Sequence, residues 1–157
     1  MLNYLAHAGL SDSSSYLSSS EVSVSWLAIF LATLAAMVIG SVWYGPLFGK
    51  QWMKAVGLKK KDIQGGSLWP TVAMAGLALA QAVILAHFIA YASNFYFDFD
   101  GWVVGALTGL WAFAGFIAPV LISNTMFSKG STELLKINLG NQFLTLLVMG
   151  IILGTIS

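Results

Sequence analysis

The chain has 157 residues, of which 58% are hydrophobic and only 8% are charged, and its formal net charge is +1. Ordinary soluble domains carry about 25% charged residues, so this composition excludes a soluble protein and indicates one that resides in a lipid bilayer. The absence of cysteine excludes disulfides and thiolate-ligated metals, and the absence of arginine argues against nucleic acid as a partner.

Residues 1–23 precede the first long apolar segment and are rich in serine, above all in the tract Ser11–Ser20. They lack the features of a secretory signal peptide, because such a peptide begins with Lys or Arg residues and no Lys or Arg precedes Lys50 here. We therefore interpret residues 1–23 as a tail that precedes a membrane domain at residues 24–157.

Four apolar segments follow the tail, at residues 24–44, 69–91, 102–122 and 137–156. Each has about 20 residues, which as a helix is long enough to cross the roughly 30 Å of hydrocarbon in a bilayer. Since helices satisfy their own backbone hydrogen bonds in lipid, the sequence predicts an all-α bundle of four transmembrane helices. Residues typical of helix starts precede the segments: Ser18 with Glu21, Ser67, Asp100 and Ser131.

The stretch between the first and second segments predicts a short amphipathic helix at the membrane surface. Pro46 is expected to end the first span, and Gly57 is expected to close the short helix. Its apolar face holds Phe48, Trp52, Ala55 and Val56, opposite Lys50 and Lys54. A helix that docks a partner is the alternative interpretation. The predicted anchor residues are Trp43, Tyr44, Pro46, Phe48, Lys50, Trp52, Lys54, Lys59, Lys60 and Lys61.

Charge is distributed unevenly among the loops. The first loop is rich in lysine and the third contains Lys129, whereas the second carries only Asp98 and Asp100. Loops rich in lysine face the cytoplasm, so both termini are predicted on the opposite side. The sequence therefore predicts an integral protein of a bacterial inner membrane or an organellar membrane.

Small residues recur at intervals of four in every segment. This spacing places them on one face of each helix, and in lipid such faces allow two backbones to approach closely. They therefore predict helix packing, either within one chain or between chains. The predicted packing residues are Ala28, Ala32, Ala36, Gly40, Ala78, Ala82, Ala86, Gly101, Gly105, Gly109, Gly150 and Gly154.

Polar residues within the segments are the candidates for a functional site. Asn138, Asn141, Gln142 and Thr145 share one face of the fourth segment, and Asn124 of the third segment is a candidate to join them. This face predicts either hydrogen bonds between helices or a polar route from the cytoplasmic side. In the second segment, Gln81 and His87 are further candidates, with proton transfer by His87 as the functional alternative to a structural role.

The segment Trp43–Lys50, with the sequence WYGPLFGK, resembles the central block of a family of small, mainly bacterial membrane proteins known as domain of unknown function 1761. The resemblance implies four transmembrane helices and no established activity. The chain departs from the family pattern at Ser25, where an Asn is frequent, and at Asn141-Gln142, where the family has an aromatic-His pair. Other matching positions are Trp26-Leu27-Ala28, Trp52-Met53, Gly57-Leu58, Ile137-Asn138, Gly140, Met149-Gly150 and Leu153-Gly154.

Three functional hypotheses follow. The first is a non-enzymatic accessory or structural subunit that packs against other membrane proteins or identical copies within the lipid bilayer. The second is a small oligomeric transporter or channel that uses the polar face of the fourth segment. The spacing of the serine, histidine and acidic residues is not typical of an active site, so no enzyme and no cofactor are predicted. Binding of a lipid or pigment between helices is a third alternative, with His87 as a candidate ligand for a pigment metal.

Overall fold

The computed structural model describes residues 24–58, 68–96, 98–128 and 130–156, which form five helices and no strand. These helices are α1 (Trp26–Leu47), α2 (Gly49–Val56), α3 (Trp69–Ser93), α4 (Gly101–Phe127) and α5 (Thr132–Ile156). Several predictions concern residues outside the described ranges: the tail at 1–23 with Ser18 and Glu21, the cap Ser67, and the lysines Lys59, Lys60, Lys61 and Lys129.

Four of the five helices, α1, α3, α4 and α5, are long and apolar enough to cross a membrane. The predicted four-helix fold with a short helix between its first two spans is therefore confirmed. All four long helices extend beyond the predicted spans at one or both ends, because residues such as Glu133 continue the helical backbone past the apolar part. Lys50, Lys54 and Lys136 lie at one end of the bundle, while Asp98 and Asp100 lie at the other.

The residues that begin the helices match the predictions in part. Ser25 caps α1, since its Oγ accepts a hydrogen bond from the Ala28 N–H at 3.3 Å. Asp100 occupies the cap position of α4 without a side-chain bond. Ser131 accepts a hydrogen bond from the Leu134 N–H at 3.4 Å, as expected for a cap of α5.

Pro46 does not end the first span where the sequence predicts. The helix α1 continues past Val42 into a π-helical turn at Trp43–Leu47 that contains Pro46. In this turn the N–H of Phe48 donates to the carbonyl of Trp43 at 2.8 Å, five residues back. The wider turn accommodates a proline, which has no N–H to donate, and only then does the helix end.

A second π-helical turn, Phe113–Ile117, interrupts α4 between the α-helical parts Gly101–Ala112 and Ala118–Phe127. Pro119 follows this turn. The backbone N–H of Ala118 donates to the carbonyl of Phe113, five residues back. Sequence patterns based on 3.6 residues per turn give no sign of such an insertion.

Glycines join α4 to α5 in an antiparallel pair. Gly101 lies against Gly154, Gly105 against Gly150, and Gly109 against the backbone of Leu146. A Cβ added at any of these glycines on either helix would overlap a backbone carbonyl oxygen on the other. These two stripes thus pack against each other within one chain.

The alanine stripes of α1 and α3 contribute five residues to the hydrophobic core. Ala28, Ala32 and Ala36 of α1 are buried, as are Ala82 and Ala86 of α3. Two predicted packing residues lie at the margin instead. Gly40 is half-buried with open space beside it, and Ala78 only borders the core. Larger side chains complete the core: Ile29, Leu85, Ile89, Leu146, Met149 and Leu153.

Helix α5 is the centre of the bundle because it contacts all four other helices. Its glycine face meets α4, and its opposite face, with Asn141 and Thr145, meets the other side of the bundle. Of the four long helices it has the largest buried share, 39% of its most apolar window. A polar face on this helix is therefore enclosed by protein.

Candidate functional site

The first candidate site is the polar face of α5, which the fold turns inward. Asn141 is 5% exposed and Thr145 is 6% exposed, whereas Asn138 and Gln142 are partly buried. On a helix these residues follow the spacing i, i+3, i+4 and i+7, so they occupy a single strip. The structure therefore brings together the four residues that the sequence predicts for this face.

Trp43 closes one end of this strip. Its indole Nε1 donates a hydrogen bond to the carbonyl of Ile137 at 3.0 Å. The indole ring lies on Gly140, where an added Cβ would come within 2.8 Å of the ring carbon Cζ2. Trp43, which the sequence predicts as an anchor at the membrane surface, is thus held against the backbone of α5.

Tyr44 provides a second contact with the same strip. Its hydroxyl donates to Oδ1 of Asn138 at 2.9 Å. We call Trp43 and Tyr44 the latch, because together they bind the last turn of α1 to the first half of α5. Both members of the latch lie in the π-helical turn, so the widened backbone presents two neighbouring aromatic residues to one helix.

The short helix α2 lies against the latch. The rings of Trp43 and Phe48 are 4.6 Å apart, and those of Tyr44 and Trp52 are 5.9 Å apart. The N-terminal residue Gly49 is buried beneath the carbonyl of Tyr44, where a Cβ would come within 2.7 Å of the oxygen. The aromatic face of α2 thus rests on the bundle.

The polar face of α2 points away from the bundle. Lys50 and Lys54 are exposed, and Gly57 closes the helix in the left-handed region, with φ of 78°. The end of α2 is therefore formed as predicted. Apart from Val56, which is 42% exposed, the predicted apolar face is partly buried. Placement of this helix at a membrane surface stays a prediction.

Two polar atoms within the strip have no hydrogen-bond partner among the described residues. They are Nδ2 of Asn141 and Oε1 of Gln142, and both are buried. A buried amide atom without a partner is energetically unfavourable, by about 1–3 kcal/mol. The strip therefore holds one buried donor and one buried acceptor without a partner. The latch covers the end of the strip at Asn138.

The other polar candidates do not join the strip. Asn124 is exposed, close to the end of α4. His87 is exposed on α3, with its Nδ1 at 2.7 Å from the carbonyl of Val83 in its own helix. Gln81 lies at the centre of α3, twelve residues from either end by numbering. These three residues belong to different surfaces of the bundle.

The second candidate site is a lateral groove between α3 and α4 with a volume of about 400 Å³. Gln81 is the only polar side chain among its lining residues. One wall of the groove consists of residues from the π-helical turn of α4 and its edge, so that turn shapes the groove. The apolar lining residues are Ala80, Ile84, Leu85, Phe88, Ala112, Phe116, Ile117 and Leu146.

Sequence reasoning found the polar strip but missed the contacts of the latch and the groove. The latch bonds join residues 94 positions apart in the chain, so no local pattern reports them. The signal available for the groove was Pro119, which marks an irregularity in α4, together with an amide near the middle of an apolar span.

A family model described as "Protein of unknown function (DUF1761)" matches residues 27–154, which is most of the chain. No curated protein and no solved structure matches the chain. The matched range contains the latch, α2, the polar strip and the glycine contacts between α4 and α5.

Proposed function

Since the chain belongs to the DUF1761 family, which is described as being of unknown function, its role must be inferred from its own surfaces, and we propose that it is a non-enzymatic structural subunit of a membrane protein assembly. In this role it packs against a neighbouring chain through the lateral groove. The observation that supports the proposal is the position of Gln81 in that groove.

The Gln81 side chain makes no hydrogen bond with any described residue, and it lines a groove that is otherwise apolar. It also lies at the middle of α3. When α3 crosses a bilayer, this position comes to the hydrocarbon centre. An amide in hydrocarbon without a partner is unfavourable by several kcal/mol. Gln81 therefore favours states of the protein in which a polar group reaches this depth.

Phospholipids are poor sources of such a group. Their headgroups lie about 15 Å from the centre of a bilayer whose hydrocarbon is about 30 Å thick, and only their acyl chains reach the depth of Gln81. A transmembrane helix of a neighbouring chain can bring an amide or hydroxyl to this depth. Side-chain hydrogen bonds of this kind hold helices together in membranes.

The small side chain of Ala80 allows a helix to approach α3 closely on this side. Ala80 is exposed and borders the groove. By contrast, the glycines that line the contact between α4 and α5 already pack against each other within the chain: Gly101, Gly105, Gly109, Gly150 and Gly154.

The proposal is tested with a photo-crosslinking amino acid at position 80 in native membranes. The matched control places the same group at position 34, since Leu34 is 45% exposed on α1 and lies away from the groove. We expect a discrete protein adduct at position 80 and only lipid adducts at position 34. Lipid adducts alone at both positions would contradict an assembly role for the groove.

The polar strip supports a second candidate function, a small transporter or channel. The specific observation is the unused donor of Asn141 and the unused acceptor of Gln142 inside the bundle. Both groups are uncharged, so they suit small neutral solutes that form hydrogen bonds, such as urea or glycerol.

This alternative is tested in liposomes by light scattering with urea and glycerol. Flux that Asn141→Leu abolishes would support transport. The control Thr155→Val changes an exposed hydroxyl on the same helix and should leave flux intact. Flux equal to that of empty liposomes would exclude transport of these solutes.

A further inference from the structure

The groove between α3 and α4 also indicates which chain fills it. We propose that the neighbour is a second copy of this protein, bound through the same groove about a two-fold axis along the membrane normal, with the two Gln81 side chains hydrogen-bonded to each other. This inference rests on the proposed function in one respect, namely that the groove is an assembly surface.

Depth is the first argument for a second copy. Two copies inserted with the same topology place every residue at the same depth as its counterpart. Gln81, at the middle of α3, therefore meets an identical amide whenever the two α3 helices come together. An unrelated helix would need its own polar residue at this one level.

Hydrogen-bonding chemistry is the second argument. A carboxamide carries both an NH₂ donor and a carbonyl acceptor, so two identical amides satisfy each other reciprocally. Lysine or a carboxylate does not pair with itself in this way. The self-complementary pair suits a two-fold interface, in which each residue meets the equivalent surface of its partner.

Shape is the third argument, because one face of the chain carries both a groove and large side chains that project beside it. Leu77 and Ile84 flank Gln81 on α3 at i−4 and i+3, and they are 65% and 56% exposed. Phe116 of α4 is 66% exposed at the edge of the groove. In a two-fold pair, these side chains of each copy are available to fill the groove of the other.

The absence of cysteine makes the test direct, since an introduced cysteine is unique in the chain. Ala80→Cys is oxidised in native membranes and compared with Leu34→Cys on the lipid-exposed face of α1. We expect a disulfide-linked pair of copies for Ala80→Cys and none for Leu34→Cys. Equal yields at the two positions would indicate random collision and would overturn the inference.

The role of the amide is tested with Gln81→Leu in lipid vesicles, where the monomer–dimer equilibrium is measured by single-molecule photobleaching. We expect the dimerisation constant to fall about tenfold. The control Gln142→Leu removes an amide from α5, outside the groove, and should leave dimerisation unchanged. No change for Gln81→Leu, or an equal loss in both variants, would overturn the paired amides.

The two proposals fail in different ways. A disulfide or crosslink from position 80 to a protein of different mass would overturn the second copy while supporting an assembly role. The presence of lipid adducts alone at position 80 would overturn both proposals. A thermal unfolding midpoint of Gln81→Leu equal to that of the wild type would confirm that any loss of dimer does not reflect misfolding.

Discussion

The indole ring of Trp43 rests on the backbone of Gly140, close enough that a Cβ at position 140 would come within 2.8 Å of ring carbon Cζ2. The same indole donates to the carbonyl of Ile137 at 3.0 Å. One side chain of α1 thus fixes both the distance and the rotation of α5. The stretch WYGPLFGK, on which the family resemblance rests, has a structural explanation in this contact and in the turn that carries it.

The first prediction concerns the latch. Gly140→Val should lower the free energy of unfolding by about 1–3 kcal/mol, because the added atoms overlap the indole of Trp43. The measurement is chemical unfolding in detergent micelles. Gly76→Val serves as the control, since position 76 has open space and should change little. Equal losses in the two variants would show that helix propensity, rather than the indole, determines the effect.

The second prediction concerns the glycine interface. Gly105→Ala should destabilise the bundle because its Cβ would overlap the carbonyl oxygen of Gly150 on α5. Gly115→Ala changes the same residue type on the same helix, at a position with nothing within 4 Å. We expect a lower thermal midpoint for Gly105→Ala only. A wild-type midpoint for Gly105→Ala would mean that α4 and α5 are further apart than the structure shows.

The third prediction concerns the bond between Tyr44 and Asn138. A double-mutant cycle with Tyr44→Phe and Asn138→Leu should give a coupling free energy of about 0.6 kcal/mol, the average for side-chain hydrogen bonds in membranes. Unfolding in bicelles measures this coupling. A coupling of zero would indicate that the hydroxyl and the amide do not pair.

The fourth prediction concerns the end of α2. Gly57→Ala should cost about 1–2 kcal/mol locally, since φ is 78° at this position and side chains disfavour that region. Hydrogen exchange of α2 should therefore accelerate while exchange of α5 stays unchanged. Gly45→Ala, at an open position of ordinary φ, is the control. Unaltered exchange in α2 would contradict the importance of this cap.

The fifth prediction concerns topology. The lysines of α2 and Lys136 lie at one end of the bundle, so this end should face the cytoplasm. Replacing Lys50 and Lys54 with glutamate should increase the fraction of inverted chains. Protease access to a tag at the C terminus, assayed in sealed vesicles, measures this fraction. The control replaces Lys50 and Lys54 with arginine, which keeps the charge and should keep the orientation.

The sequence predicted the features that depend on local periodicity. Four spans, the amphipathic α2 and the small-residue faces all follow from spacing along one helix. Which faces meet depends on distant parts of the chain, so the pairing of Gly105 with Gly150 and of Tyr44 with Asn138 was beyond local patterns. The groove depends on a change of helical pitch at Phe113–Ile117. A pattern based on sequence periodicity assumes that the pitch is constant, so it does not report this change.

The position of α5 in the chain has a consequence for biosynthesis. This helix follows the other four, yet it contacts every one of them. During translation, the glycine face of α4 and the aromatic residues of the latch therefore reach the membrane before their partner exists. A nascent chain interrupted before Thr132 would be an incomplete bundle, because the glycine face of α4 and the latch would lack the helix that they contact.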